Sequence, residues 1–81
     1  MSLWHWPQAS REGKMRELVG AFAFAAHIDA ERVTIRKGKP PNWATLIVSV
    51  RGELPAAEWE AGLDMVRLHV FAYVAVVQDR S

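Results

Sequence analysis

The chain has 81 residues, 51% hydrophobic and 23% charged, with a formal net charge of +1 and no cysteine. These figures fit one small globular domain and exclude a multidomain enzyme, a disulfide-stapled scaffold and a disordered tail. A chain this short buries only about two thirds of the surface its unfolded form exposes. With disulfides and thiolate metal sites excluded, oligomerisation is the remaining route to a larger core.

Residues 1–9 read as an N-terminal arm and residues 10–81 as a single small α+β domain. The arm carries Trp4-His5-Trp6-Pro7 without a regular pattern. It has no basic stretch followed by an apolar one, so no signal peptide is expected and the expected location is cytoplasmic. Exposed tryptophans on an arm are a liability in water, so Trp4 and Trp6 are expected either to pack back on the core or to insert into a partner.

Residues 10–30 read as the first helix. Ser10 is a candidate N-cap, and Met15, Leu18, Val19, Phe22 and Ala26 form one helical stripe. The opposite side turns apolar at Ala21, Phe24 and Ile28, which calls for a second packing surface. Residues 32–37 alternate as a strand, with Val33 and Ile35 on one face and Arg32, Thr34 and Arg36 on the other. A turn containing Pro40 and Pro41 leads to a second strand, 44–51, with Leu46, Val48 and Val50 inward and Ile47 on the other face. Adjacent strands joined by a turn predict an antiparallel hairpin.

The last segment opens at Pro55, a residue suited to the first helical position. Glu58, Glu60 and Asp64 suit the helix start. Trp59, Leu63, Val66, Val70, Tyr73, Val74 and Val77 make one stripe, and Leu68 and Phe71 lie on the far side. Residues 70–77 are also rich in β-branched and aromatic residues and fit a strand. With no glycine or proline before them, they are read as a continuation of the helix. That stretch is far shorter than the ~20 residues a membrane span requires.

The expected order is therefore helix–strand–strand–helix, a hairpin covered by two helices. A lone hairpin has two open edges and is marginal in water. This predicts a homodimer, its hairpins joined into a larger sheet, or docking on another protein. Ala21, Phe24, Ile28, Ile47, Leu68 and Phe71 are the expected dimer interface.

No catalytic constellation emerges. His5, His27 and His69 lack metal-ligand spacing, and no G-x-S-x-G elbow surrounds Ser10, Ser49 or Thr45. His27 and Asp29 would point about 200° apart on a helix, and His27 fits a helix end. No cofactor, metal or enzymatic activity is expected, and Gly38-Lys39-Pro40-Pro41 is not a phosphate loop.

Charge is uneven. Residues 10–51 carry net +4 and residues 52–81 net −3. Arg36, Lys37, Lys39 and Trp43 cluster at the expected hairpin tip, with Arg11, Lys14 and Arg16 at the start of the first helix. The expected function is a small non-enzymatic protein–protein interaction module. One form of it is an accessory or inhibitor protein of a phage or plasmid that blocks a host complex. It would bind through Trp4, Trp6, the tip residues Arg36, Lys37, Lys39 and Trp43, or the free edge of strand 44–51. The alternative is a nucleic-acid-binding regulator that uses the basic tip.

Overall fold

The computed structural model describes residues 8–38 and 44–79. Helix α1 spans Gln8–Ala26, strand β1 Val33–Lys37, strand β2 Thr45–Val50, helix α2 Ala56–Leu68 and strand β3 Ala75–Gln78. The chain is α+β, and its described residues form two α-helices and a mixed three-stranded sheet in the order β1-β2-β3. β1 pairs antiparallel with β2, matching Val33 to Val50 and Lys37 to Leu46. β3 pairs parallel with β2, matching Thr45 to Ala75 and Val48 to Gln78, so β2–α2–β3 is a crossover unit.

The last segment is therefore not one helix, and this corrects the four-element order. α2 stops at Leu68, where the His69 amide donates to the Val66 carbonyl (3.0 Å). After a turn closed by the Val74 amide on the Phe71 carbonyl (2.9 Å), the Ala75 amide joins the sheet at the Ala44 carbonyl (2.8 Å). Val74 and Val76 are buried while Ala75 and Val77 are exposed, a period of two. The physical cause lies in β2, whose second edge would otherwise carry unpaired amides and carbonyls. Strand 44–51 has no free edge, since β2 is central and bonded on both sides. Among the described residues the edge strands are β1 and β3. On the β3 edge, Arg67 Nη2 donates to the Val76 carbonyl (3.1 Å), with Arg67 held by Asp64 at 2.8 Å. A charged cap of this kind blunts strand addition.

The helix start also differs from expectation. Gln8 and Ala9 are already helical, so Ser10 lies inside α1 rather than capping it. α2 begins one residue after Pro55, which occupies the cap position. The stripe of α1 is as expected: Leu18, Phe22 and Ala26 are buried, and Met15 and Val19 pack against them. One core joins these to Val33, Ile35, Leu46, Val48, Val66 and Val76. The inward residues of all three strands share it, so both helices cover the same face of the sheet.

α1 ends at Ala26, well short of residue 30. The Ile28 amide donates to the Ala23 carbonyl (3.0 Å) and the His27 amide to the Phe24 carbonyl (3.3 Å), the paired bonds of a Schellman closure. His27 sits at its left-handed position with φ 58°, where glycine carries no steric cost. His27→Gly is expected to raise stability by about 0.5–1 kcal/mol, and His27→Val to lower it by a similar amount. Thermal melts of the two variants check the sign, and a lower midpoint for the glycine variant would contradict it.

Candidate functional site

The topology sorts the molecule into two ends. α1 leads through residues 27–32 into Val33, which pairs with Val50, and α2 begins only a few residues later. The last turn of α1 and the first turn of α2 therefore share one end of the sheet, and the two helices run antiparallel. Asp29, Glu31, Glu53 and Glu58 gather at this end, together with Arg32 and Arg51. Lys14 and Lys37 belong to the opposite end, with the end of α2.

The sheet face away from the helices carries Thr34 and Arg36 from β1, Thr45, Ile47 and Ser49 from β2, and Ala75 and Val77 from β3. Neither helix covers it. Ile47 and Val77 are register neighbours at its centre, with Val77 41% exposed. One corner of this face is polar. Arg36 Nη1 donates to Ser49 Oγ (3.1 Å) and to Asp79 Oδ2 (3.1 Å), and Ser49 Oγ donates to Asp79 Oδ2 (2.8 Å). Asp79 follows β3, so this cluster ties all three strands together.

The expected site residues separate. Arg36 is engaged on the outer face rather than presented at a tip, and Lys37 is exposed at the end of β1 on the alternate face. Trp4, Trp6, Lys39 and Trp43 lie outside the described residues. Of the expected interface, Phe24 and Leu68 are each 79% exposed but sit toward opposite ends of the helix layer. Ile47 is on the far face of the sheet, and Ala21 and Ile28 are half-buried, Ile28 against the core. Phe71 stacks on Tyr73, ring centres 5.7 Å apart. They do not form one surface.

His27 and Asp29 are not arranged as a dyad. The Asp29 carboxylate accepts from the Glu31 amide (3.1 Å) and caps the short 3-10 turn Ala30–Arg32. His69 is half-buried at the end of α2. Among the described residues, no group of three or more His, Asp or Glu side chains could hold a metal ion, and no helix is long and apolar enough to cross a membrane.

No protein-family model, curated protein or solved structure matches this chain.

Asp79 and the place of Trp59 in a cleft emerge only in three dimensions. Arg36 and Asp79 are 43 residues apart, and no local pattern signals their pairing. Trp59 was legible as a core residue, and it does meet Phe22 edge-on at 5.4 Å and 70°. It also lines a cleft, which periodicity does not reveal.

Proposed function

We propose that this chain is a non-enzymatic protein–protein interaction module and that the uncovered face of its sheet is the docking surface. The observation that carries this reading is the one-sided cover. Both helices lie on one face, which leaves the adjacent Ile47 and Val77 beside Thr45 and Ala75 on the other. The half-exposed Ile47 beside Val77, 41% exposed, gives this face an apolar centre that a partner can desolvate.

Size bounds the strength of that contact. Strands about 4.8 Å apart and about six residues long at ~3.3 Å each give a face of roughly 14 by 20 Å. This is well below the ~800 Å² per partner of a standard stable interface. The association is accordingly reversible, or the partner extends onto the rim. An accessory or inhibitor role, exerted by occupying a surface on a larger complex, suits such a module. A homodimer through the same face would be weak.

The reading is tested in cells that make the protein, with a photocrosslinking amino acid at Ala75. The expected result is a discrete protein adduct from this position and none from a probe at Gly20, on the exposed side of α1. Ile47→Glu should reduce the Ala75 adduct at least tenfold, because a buried unpaired carboxylate costs a partner several kcal/mol. No adduct, or one indifferent to Ile47→Glu, would reject the reading.

A nucleic-acid-binding regulator has one observation in its favour: the start of α1 and the end of β1 share an end of the molecule, bringing Lys14 toward Lys37. Nucleic acid crosslinked at position 37 but no protein at position 75 would select that alternative.

A further inference from the structure

A second surface lies where β2 and β3 finish. A cleft of about 390 Å³ is lined by Leu54, Trp59, Leu63 and Glu60 among others, and it adjoins one of about 500 Å³ that includes Val50 and Glu53. The two share Leu54, Trp59 and Gln78 and so form one continuous groove. It opens outside the carboxyl ends of two parallel strands, the position where open α/β sheets bind their ligands.

The lining is apolar at Val50, Leu54, Trp59 and Leu63, and among the described residues its charged groups are the acids Glu53, Glu60 and Asp79. Three cations stand nearby, Arg32, Arg36 and the exposed Arg51. Arg32 donates to the carbonyls of Arg51 and Glu53, both at 2.8 Å, and Arg36 is paired with Asp79. Gly52 lets Arg32 lie there: its φ is +87°, and a Cβ would come 3.2 Å from Arg32 Nη2. The positive end of the α2 dipole also faces this region, and Glu58 in the first turn offsets it.

We propose that this groove binds a basic peptide segment of a partner protein, with leucine-like side chains on the Trp59 floor and lysine or arginine against Glu53 and Glu60. A guanidinium has a further partner in the half-exposed Trp59 ring. This proposal does not rest on the outer sheet face, which is a different surface.

The test is titration of the full, isotope-labelled chain with the synthetic peptide Arg-Leu-Arg-Leu-Lys, blocked at both ends, followed by amide NMR. Expected are shifts confined to the groove residues, binding that weakens as salt is raised, and no binding of the Glu-Leu-Glu-Leu-Glu counterpart. The Glu53→Lys/Glu60→Lys variant should bind at least tenfold more weakly. Both positions are exposed, and an unchanged spectrum elsewhere verifies its fold. Absence of binding, equal binding of the acidic peptide, or an affinity untouched by the charge reversal would overturn the proposal. Shifts centred on Ile47 and Val77 would overturn it too, by moving the peptide to the outer sheet face. Light scattering supplies the last arm. A mass that rises with concentration and falls back in the double variant would put a second copy's basic end in the groove, overturning a separate peptide partner.

Discussion

Phe22→Ala is expected to cost about 3–5 kcal/mol, the usual range for emptying a fully buried aromatic site. Phe22 is 0% exposed, meets Trp59 edge-on, and lies directly against Gly62. It is the side chain through which α1 grips the first half of α2. A domain of 81 residues has on the order of 4–12 kcal/mol of stability in total, at ~0.05–0.15 kcal/mol per residue. The variant should therefore lose a large fraction of its stability and unfold at a much lower urea concentration. Urea unfolding followed by circular dichroism measures this, and Phe22→Leu, which keeps most of the volume, supplies a folded reference. A loss below about 1 kcal/mol would mean that α1 does not close this core.

Gly62→Ala should also destabilise the protein, although glycine inside a helix is ordinarily the worse residue by about 1 kcal/mol. An added Cβ would stand 2.5, 2.6 and 2.8 Å from three ring carbons of Phe22. Phe22 is enclosed and cannot swing away, so the overlap must be relieved by shifting α1 against α2. Overpacking of this kind costs about 1–3 kcal/mol, and it outweighs the propensity gain. The diagnostic is a double-mutant cycle. In the Phe22→Leu background the ring is gone, and Gly62→Ala should become neutral or stabilising by up to ~1 kcal/mol. If the penalty persists unchanged in that background, the contact with Phe22 is not its cause.

The two variants illustrate what pattern reading reaches. Phe22 is legible in the sequence because it falls on a stripe with Leu18 and Ala26, and all three are buried. Gly62 is not legible: a glycine within a helical pattern looks like a weak point until the ring opposite it is known. His27 is an intermediate case. Its place near a helix end follows from the end of the apolar pattern, but its left-handed backbone depends on the Schellman bonds. The candidate surfaces were less legible still. The groove draws on Val50, Leu54, Trp59, Leu63 and Gln78, which come together only through the crossover. Arg36, read as a tip cation, is turned to Asp79 by the parallel pairing of β3.

By itself the sequence determined the α1 stripe, the alternation of β1 and β2, the start of α2 with Trp59, Leu63 and Val66, and an α+β class, because each rests on a period that neighbouring residues alone establish. The tertiary structure decided the rest. Val66, Val70, Val74 and Val77 fit a helical stripe, whereas Val74 and Val76 against Ala75 and Val77 fit a strand, so local periodicity is degenerate there. What broke the tie was the second edge of β2, whose backbone groups gain a parallel partner when residues 75–78 extend. That single non-local pairing made β2 the central strand, set the outer face opposite both helices and built the groove at the sheet's end.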